Sequence, residues 1–282
     1  MGASGVKYLY QSRRRKPVYG CKVMTFCYYP GCTLKTKAKE LDKYARASAE
    51  ALGVELKELE AWQCCGACYP QSKDEIATRL SSVRALNDAA KDGGVLVTLC
   101  SACHHVITRV NRDMKLNPEI ADKANRYLEL NYDGSTEVLH YLTMLRDRVG
   151  FDTIKAKVVN PLKGRKIGAY YGCMLLRPSK EMGFDNPENP TIMEDFIRAI
   201  GGTPVVYQMR NECCGGYVAM KDKAQAQKNV KRVIDNAKNC GAEELITACP
   251  LCLYNLNENG DKTMPVTYFT ELLAEALGVK EA

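Results

Sequence analysis

The chain has 282 residues, 46% of them hydrophobic, and a formal charge of +7 at neutral pH. That length holds two domains of ordinary size. No apolar run approaches the roughly 18 residues of a membrane-spanning helix, and no apolar segment follows the basic N-terminus, so no secretory signal is expected. Residues 1–23 contain Lys7, Arg13, Arg14, Arg15, Lys16 and Lys22 and no acid, which leaves +1 on the other 259 residues; no nucleic-acid partner is expected from so neutral a body.

Residues 1–23 read as a basic flexible extension, with Met24 a candidate start. A strand-like run over 25–32 ends in Gly31-Cys32, and a helix over about 36–52 stops at Gly53. A β-rich run at 54–59 leads into Cys64-Cys65. Ser72 and Glu75 form a capping box for a helix near 73–91 that ends at Gly93-Gly94. A strand at 95–99 delivers Cys100 and Cys103 to the start of another helix. Residues 115–136 are an insertion, residues 140–145 lie on a closing helix, and 148–164 form the linker, marked by Gly150, Pro161 and Gly164.

The second half repeats the order. A strand-like run ends in Gly172-Cys173, and the following helix has Asn189 as N-cap, Pro190 in its first turn and Gly201-Gly202 as its stop. A β-rich run at 204–208 precedes Cys213-Cys214. A helix near 222–239 ends at Gly241, a strand at 244–248 delivers Cys249 and Cys252, and residues 267–272 close the half on a helix. This alternation specifies parallel α/β units, one in 24–150 and one in 160–282. Such units gather ligands at the carboxyl ends of their strands. All three cysteine-bearing segments of each half follow a strand, so they converge on one sheet edge.

Ten of the fourteen cysteines thus form one pattern, written twice. Cys32, Cys64, Cys65, Cys100 and Cys103 are separated by 31, 0, 34 and 2 residues; Cys173, Cys213, Cys214, Cys249 and Cys252 by 39, 0, 34 and 2. The shared gap of 34 is the strongest sign of duplication, and each pair is followed by glycine, Gly66 or Gly215. So many thiols without a secretory signal point to a reducing, cytoplasmic setting, where they hold metal or do redox chemistry. Structural zinc takes four ligands, and five thiolates are too many for one ion. A thioredoxin-like dithiol at Cys249-Pro250-Leu251-Cys252 leaves Cys173, Cys213 and Cys214 without a role. The closely spaced bacterial ferredoxin run is absent, and an iron–sulfur centre accounts for the thiolates best.

The doubled pattern with Cys-Cys-Gly resembles the cysteine-rich CCG domains of the heterodisulfide reductase B-type subunits, over nearly the whole chain from Met24. The resemblance implies two Rossmann-like α/β domains related by a pseudo-twofold axis, each with a small parallel sheet and one five-cysteine site. It implies a noncubane [4Fe-4S] cluster on Cys32, Cys64, Cys65, Cys100 and Cys103 and a second on Cys173, Cys213, Cys214, Cys249 and Cys252. One cluster and one zinc is the alternative. A disulfide between the clusters would be reduced by two one-electron transfers, making the chain an oxidoreductase acting on sulfur groups. The implied partners are a C-type [4Fe-4S] subunit and an A-type flavin subunit, since the chain lacks a Gly-x-Gly-x-x-Gly fingerprint of its own. Gly66 and Cys68 after the first pair resemble bacterial members more than methanogen ones, so the coenzyme M–coenzyme B disulfide is not assigned. Similar subunits in succinate dehydrogenase-like or quinone-linked respiratory complexes offer a second reading, electron transfer without disulfide reduction. A zinc-stabilised scaffold is a third.

His104 and His105 directly follow Cys103 and are candidate proton donors to a product thiolate; their counterparts, Leu253 and Tyr254, give no support from symmetry. Cys68 aligns with Tyr217 and reads as a small filler or an alternate ligand. Cys27 and Cys240 read as packing residues, Cys21 lies in the extension, and Arg177 reads as a surface ion-pair residue that could also meet an anionic substrate.

Overall fold

The computed structural model describes residues 23–67 and 74–280. The first half comprises β1 (Met24–Tyr29), α1 (Cys32–Lys35), α2 (Lys39–Ala51), β2 (Val54–Glu58), α3 (Ala77–Lys91), β3 (Val95–Thr98), α4 (Ser101–Leu116), α5 (Pro118–Leu128), β4 (Glu137–His140) and α6 (Tyr141–Met144). After α7 (Phe151–Lys157), the second comprises β5 (Lys166–Tyr170), α8 (Ser179–Met182), α9 (Ile192–Ala199), β6 (Thr203–Val205), α10 (Lys223–Asn239), β7 (Glu244–Thr247), α11 (Pro250–Asn259), β8 (Val266–Tyr268) and α12 (Phe269–Ala276).

Each half is a four-stranded parallel sheet, in the orders β2-β1-β3-β4 and β6-β5-β7-β8. The two orders are the same, so the sequence repeat is a structural repeat: two Rossmann-like units related by pseudo-symmetry. The central strands read as apolar or aromatic runs because helices cover both faces. Every residue of β7 is buried, as are the last three of β1. Register places equivalent residues at equivalent heights: Tyr29, Thr98 and His140 are neighbours at the carboxyl edge of one sheet, and Tyr170, Thr247 and Tyr268 at that of the other.

The halves do not pack separately. One apolar cluster runs from Tyr28 and Leu34 through Leu142 and Phe196 to Phe269 and Leu273. α12 of the second half lies on α2 of the first, where Thr270 Oγ1 donates to the Leu41 carbonyl at 3.2 Å. At about 1.5–3 kcal/mol for each large apolar side chain buried, this shared core fixes the relative placement of the units. Tyr170, Tyr207, Val230, Leu245 and Leu256 form a second cluster within the second half.

Four expectations change. Residues 140 and 267–268 belong to short fourth strands, and the closing helices start only at Tyr141 and Phe269. A strand of three or four residues is too short to display its alternation. The linker region contains α7, because Ile154 buries its side chain against α9. α9 is capped not by Asn189 but by Asp185, whose carboxylate accepts from the N–H groups of Thr191 (2.7 Å) and Ile192 (2.9 Å). Arg210 instead donates to the Asn189 side chain. Ser72 lies outside the described residues; α3 begins at Ala77, where Asp74 accepts from the Ile76 and Ala77 N–H groups at 2.9 and 3.0 Å. α5 occupies the insertion, with Asn117 as its cap.

Candidate functional site

All ten patterned cysteines sit at the carboxyl edges of the two sheets. Cys32 opens α1 after β1, Cys64 and Cys65 lie in the loop after β2, and Cys100 and Cys103 flank the start of α4 after β3. Cys173, Cys213, Cys214, Cys249 and Cys252 hold the equivalent places. In the first set the sulfurs of Cys32 and Cys64 lie 3.4 Å apart, as do those of Cys65 and Cys103, and Cys103 also bonds Cys100. In the second, Cys214 and Cys252 are 3.6 Å apart, Cys252 bonds Cys249, and Cys173 bonds Cys213. The described cysteines are all free thiols. Burial follows the repeat: Cys65, Cys100, Cys103 and Cys214, Cys249, Cys252 are buried, Cys32 and Cys173 half-buried, Cys64 and Cys213 exposed.

Two details repeat in each site. Gly66 N–H points at the Cys64 sulfur at 3.5 Å and Gly215 N–H at that of Cys213 at 3.4 Å. The glycine before the first cysteine has positive φ, 82° at Gly31 and 64° at Gly172, and a side chain there would meet sulfur: a Cβ on Gly31 lies 2.8 Å from Cys103 Sγ, one on Gly172 3.1 Å from Cys252 Sγ. Tyr29 and Tyr170, three residues before Cys32 and Cys173, anchor the loop that carries each cysteine pair. Their hydroxyls donate to the carbonyls of Gln63 (2.5 Å) and Glu212 (2.7 Å), each immediately before a pair. Burial, and next the surrounding thiolates, push both phenols above their usual range. The tyrosine at −3 and glycine at −1 stand in both copies of the sequence, so the signal for them was there to be read.

Within each thiol network one partner gives its proton more readily. The hydrogen bond with Cys103 lowers Cys65 to about 7, that with Cys252 lowers Cys214 to about 7, and that with Cys173 lowers Cys213 to about 6. Cys103, Cys173 and Cys252 are correspondingly raised. Burial raises Cys64 to about 11. Asn255 adds a donor in the second site alone, bonding the Cys214 carbonyl at 2.8 Å.

The two sites adjoin. Ser101, after Cys100, donates its hydroxyl (2.6 Å) and its N–H (3.2 Å) to the carbonyl of Ala248, the residue before Cys249. The Tyr268 hydroxyl lies 2.8 Å from the Ala248 carbonyl and 2.8 Å from that of Leu99, the residue before Cys100. Further out, Tyr217 donates to the Ala67 carbonyl at 2.5 Å, and His105 Nδ1 to that of Met174 at 3.0 Å. Ser101 and Tyr268 escape sequence reasoning because neither has a copy in the other half.

His104 and His105 part company. His104 is buried against His140 and Phe184, its Nδ1 3.1 Å from Thr98 Oγ1, and burial holds it down at about 3. His105 is half-buried and lines a cavity of about 320 Å³ with Cys65, Arg79, Arg109 and Met174. With Nδ1 donating to Met174, its Nε2 is left to accept from Arg109 at 3.4 Å. Arg177 donates to the Asn211 carbonyl (3.0 Å) and pairs with Glu188 (3.2 Å). Cys27 is a buried packing residue with its thiol on the Asp92 carbonyl. Cys240, expected to pack, is exposed at the C-cap of α10, its thiol 3.9 Å from the Gln208 side-chain oxygen. Cys21 and Cys68 lie outside the described residues.

The cysteine-rich CCG domain profile matches the sequence twice, over residues 26–108 and 167–257. The chain belongs to the CCG-domain family. Relatives span nearly its full length. The 8-methylmenaquinol:fumarate reductase membrane anchor subunit of Wolinella succinogenes is 33% identical over 266 residues, 90% of this chain and 92% of that protein. A protein of Archaeoglobus profundus named as like the heterodisulfide reductase B-type subunit is 26% identical over 88% of this chain and 89% of its own length. The B-type subunit of the ferredoxin:CoB-CoM heterodisulfide reductase of Methanosarcina mazei is 25% identical over 88% and 87%. A crystal structure of a hypothetical protein from Helicobacter pylori shares the fold, with a TM-score of 0.69 and 14% identity over 94% of this chain; the chain spans about half of that protein, 52%. Among the described residues of this CCG protein no helix is long and apolar enough to cross a membrane.

Proposed function

We propose that this CCG protein is the iron–sulfur catalytic subunit of a heterodisulfide reductase-like complex, reducing a disulfide held between its two cysteine sites. The observation that carries the reading is the assembly of ten thiols into two equivalent networks that meet across a hydrogen-bonded seam. Cys32, Cys64, Cys65, Cys100 and Cys103 would hold one noncubane [4Fe-4S] cluster and Cys173, Cys213, Cys214, Cys249 and Cys252 the other. The donor set fits: it is all sulfur, free of disulfides, and part-ionised near neutral pH. Each site offers five thiols, one more than the four ligands of a structural zinc.

When bound, such clusters supply one electron at each site and a thiophilic metal for the sulfurs. The net reaction adds two electrons and two protons to R–S–S–R′; the S–S bond breaks and two thiols leave. The chain's own residues set the stage. Tyr29 and Tyr170 fix the loops that carry the cysteine pairs, buried Cys65, Cys103, Cys214 and Cys252 keep water from the inner sulfurs, and exposed Cys64 and Cys213 mark the open side. His105 faces the cavity beside Cys65, whereas His104 is sealed in the core. Electrons would enter from a C-type [4Fe-4S] subunit fed by an A-type flavin subunit.

The Wolinella relative favours a second reading, an electron-transfer subunit of a quinol-linked respiratory complex without disulfide reductase activity. One assay separates them. The purified complex, given reduced viologen, should oxidise it when a heterodisulfide is added. Oxidation that needs fumarate and ignores the disulfide decides for the second reading.

A further inference from the structure

The strand ends that lead to Cys100 and Cys249 meet through Ser101, Tyr268, Leu99 and Ala248, and the residues that meet there break the repeat. Tyr268 ends β8 where His140 ends β4. Ser101 follows Cys100 where Pro250, with neither hydroxyl nor N–H, follows Cys249. His140 differs in its anchoring: its Nδ1 accepts from the Leu142 N–H at 3.2 Å, which puts the proton on Nε2, a buried atom on the side of the Leu99 and Ala248 carbonyls. Tyr268 reaches from the second half to both carbonyls that precede Cys100 and Cys249, its hydroxyl 2.8 Å from Leu99 O and 2.8 Å from Ala248 O. Tyr268, Ser101, Leu99 and Ala248 are all at most 1% exposed, so no water substitutes for these contacts.

We propose that Tyr268, seconded by Ser101, is a positioning residue that holds Cys100 and Cys249 at one fixed separation and so makes the two sites a single coupled two-electron unit. The ring alone would fill the space, since Phe269 beside it packs well without a hydroxyl. The hydroxyl is what ties one half's cysteine strand end to the other's. Removing it leaves the Ala248 carbonyl with Ser101 and deprives Leu99 of its cross-seam donor. A small drift of one site against the other is costly where two centres must act on one bond.

The inference rests on the proposed cluster pair, and the test separates the two. Wild type, Tyr268→Phe and Ser101→Ala are purified anaerobically in their complex and compared for iron and acid-labile sulfide, for magnetic interaction between reduced clusters by electron paramagnetic resonance, and for two rates. Tyr268→Phe should keep its iron and its one-electron exchange with viologen, lose the interaction signal, and slow two-electron turnover by about tenfold or more. Ser101→Ala should move the same readouts the same way, by less. Full iron with an unchanged interaction signal and turnover in Tyr268→Phe overturns the inference alone. Wild type without two clusters overturns the functional reading and this inference with it. Should Tyr268→Phe lose iron, Ser101→Ala decides, and an unaltered interaction signal there overturns the coupling role.

Discussion

Gly31→Ala tests how tightly the backbone is built around sulfur. Gly31 has φ 82°, and its added Cβ would lie 2.8 Å from Cys103 Sγ. Gly53 is the control: φ 79°, with nothing within 4 Å of its Cβ. Both alanine variants carry a positive-φ backbone cost, about 1–2 kcal/mol at Gly53 and about 1–3 kcal/mol at Gly31, whose ψ of 160° puts it in a region open essentially to glycine alone. Only Gly31→Ala must also displace a buried sulfur, an overpacking that adds about 1–3 kcal/mol. Urea unfolding of the apo-proteins should therefore rank wild type above Gly53→Ala and Gly53→Ala above Gly31→Ala, at equal m-values. Anaerobic preparations should show Gly53→Ala with wild-type iron and Gly31→Ala with about half, the loss confined to the first site. Equal stability and equal iron in the two variants would refute the claim that this glycine is kept for the sulfur beside it.

Tyr29→Phe and Tyr170→Phe each remove a hydroxyl that anchors a cysteine-pair loop; each should lose about 1 kcal/mol in urea unfolding, and no loss in either variant speaks against the anchoring role. In apo-protein, Cys213 is exposed and lowered to about 6 by its hydrogen bond with Cys173, whereas its counterpart Cys64 is raised to about 11; iodoacetamide at pH 7 should label Cys213 well ahead of Cys64, as read by peptide mass spectrometry, and equal labelling would contradict that asymmetry. Burial holds His104 at about 3, so the unfolded chain takes up a proton near 6.5 that the folded chain refuses. Its share of stability is complete above about pH 7 and declines as pH falls, by about 2 kcal/mol between pH 6.5 and 5. His104→Asn should flatten that slope in urea titrations, leaving the part due to His140, which burial also lowers; an unchanged slope refutes the assignment.

The cysteine convergence was legible because it rests on spacing: three segments per half each follow a strand, and parallel strands end on the same edge. The α/β order was legible from Gly53, Gly201 and Gly241, which stop helices through their positive φ. β4 and β8 were not, since Glu137–His140 and Val266–Tyr268 are too short to show a period and run straight into helices. The cap of α9 was misplaced by proximity: Asn189 stands nearer the helix than Asp185, yet the chain loops back and brings the Asp185 carboxylate onto Thr191 and Ile192. At the site, Tyr29 and Tyr170 were readable from the repeat. Ser101 and Tyr268 act where the repeat is broken, and their meaning depends on how the halves meet, which no local pattern encodes.

The central claim is that two sulfur-ligated clusters occupy this protein together. Anaerobic purification with iron, acid-labile sulfide and zinc quantified per chain tests it most directly. The account predicts about eight iron with matching sulfide and little zinc, and loss of one cluster's share in Cys213→Ala or Cys214→Ala. Folded protein without acid-labile sulfide, or iron unchanged in both variants, would contradict it.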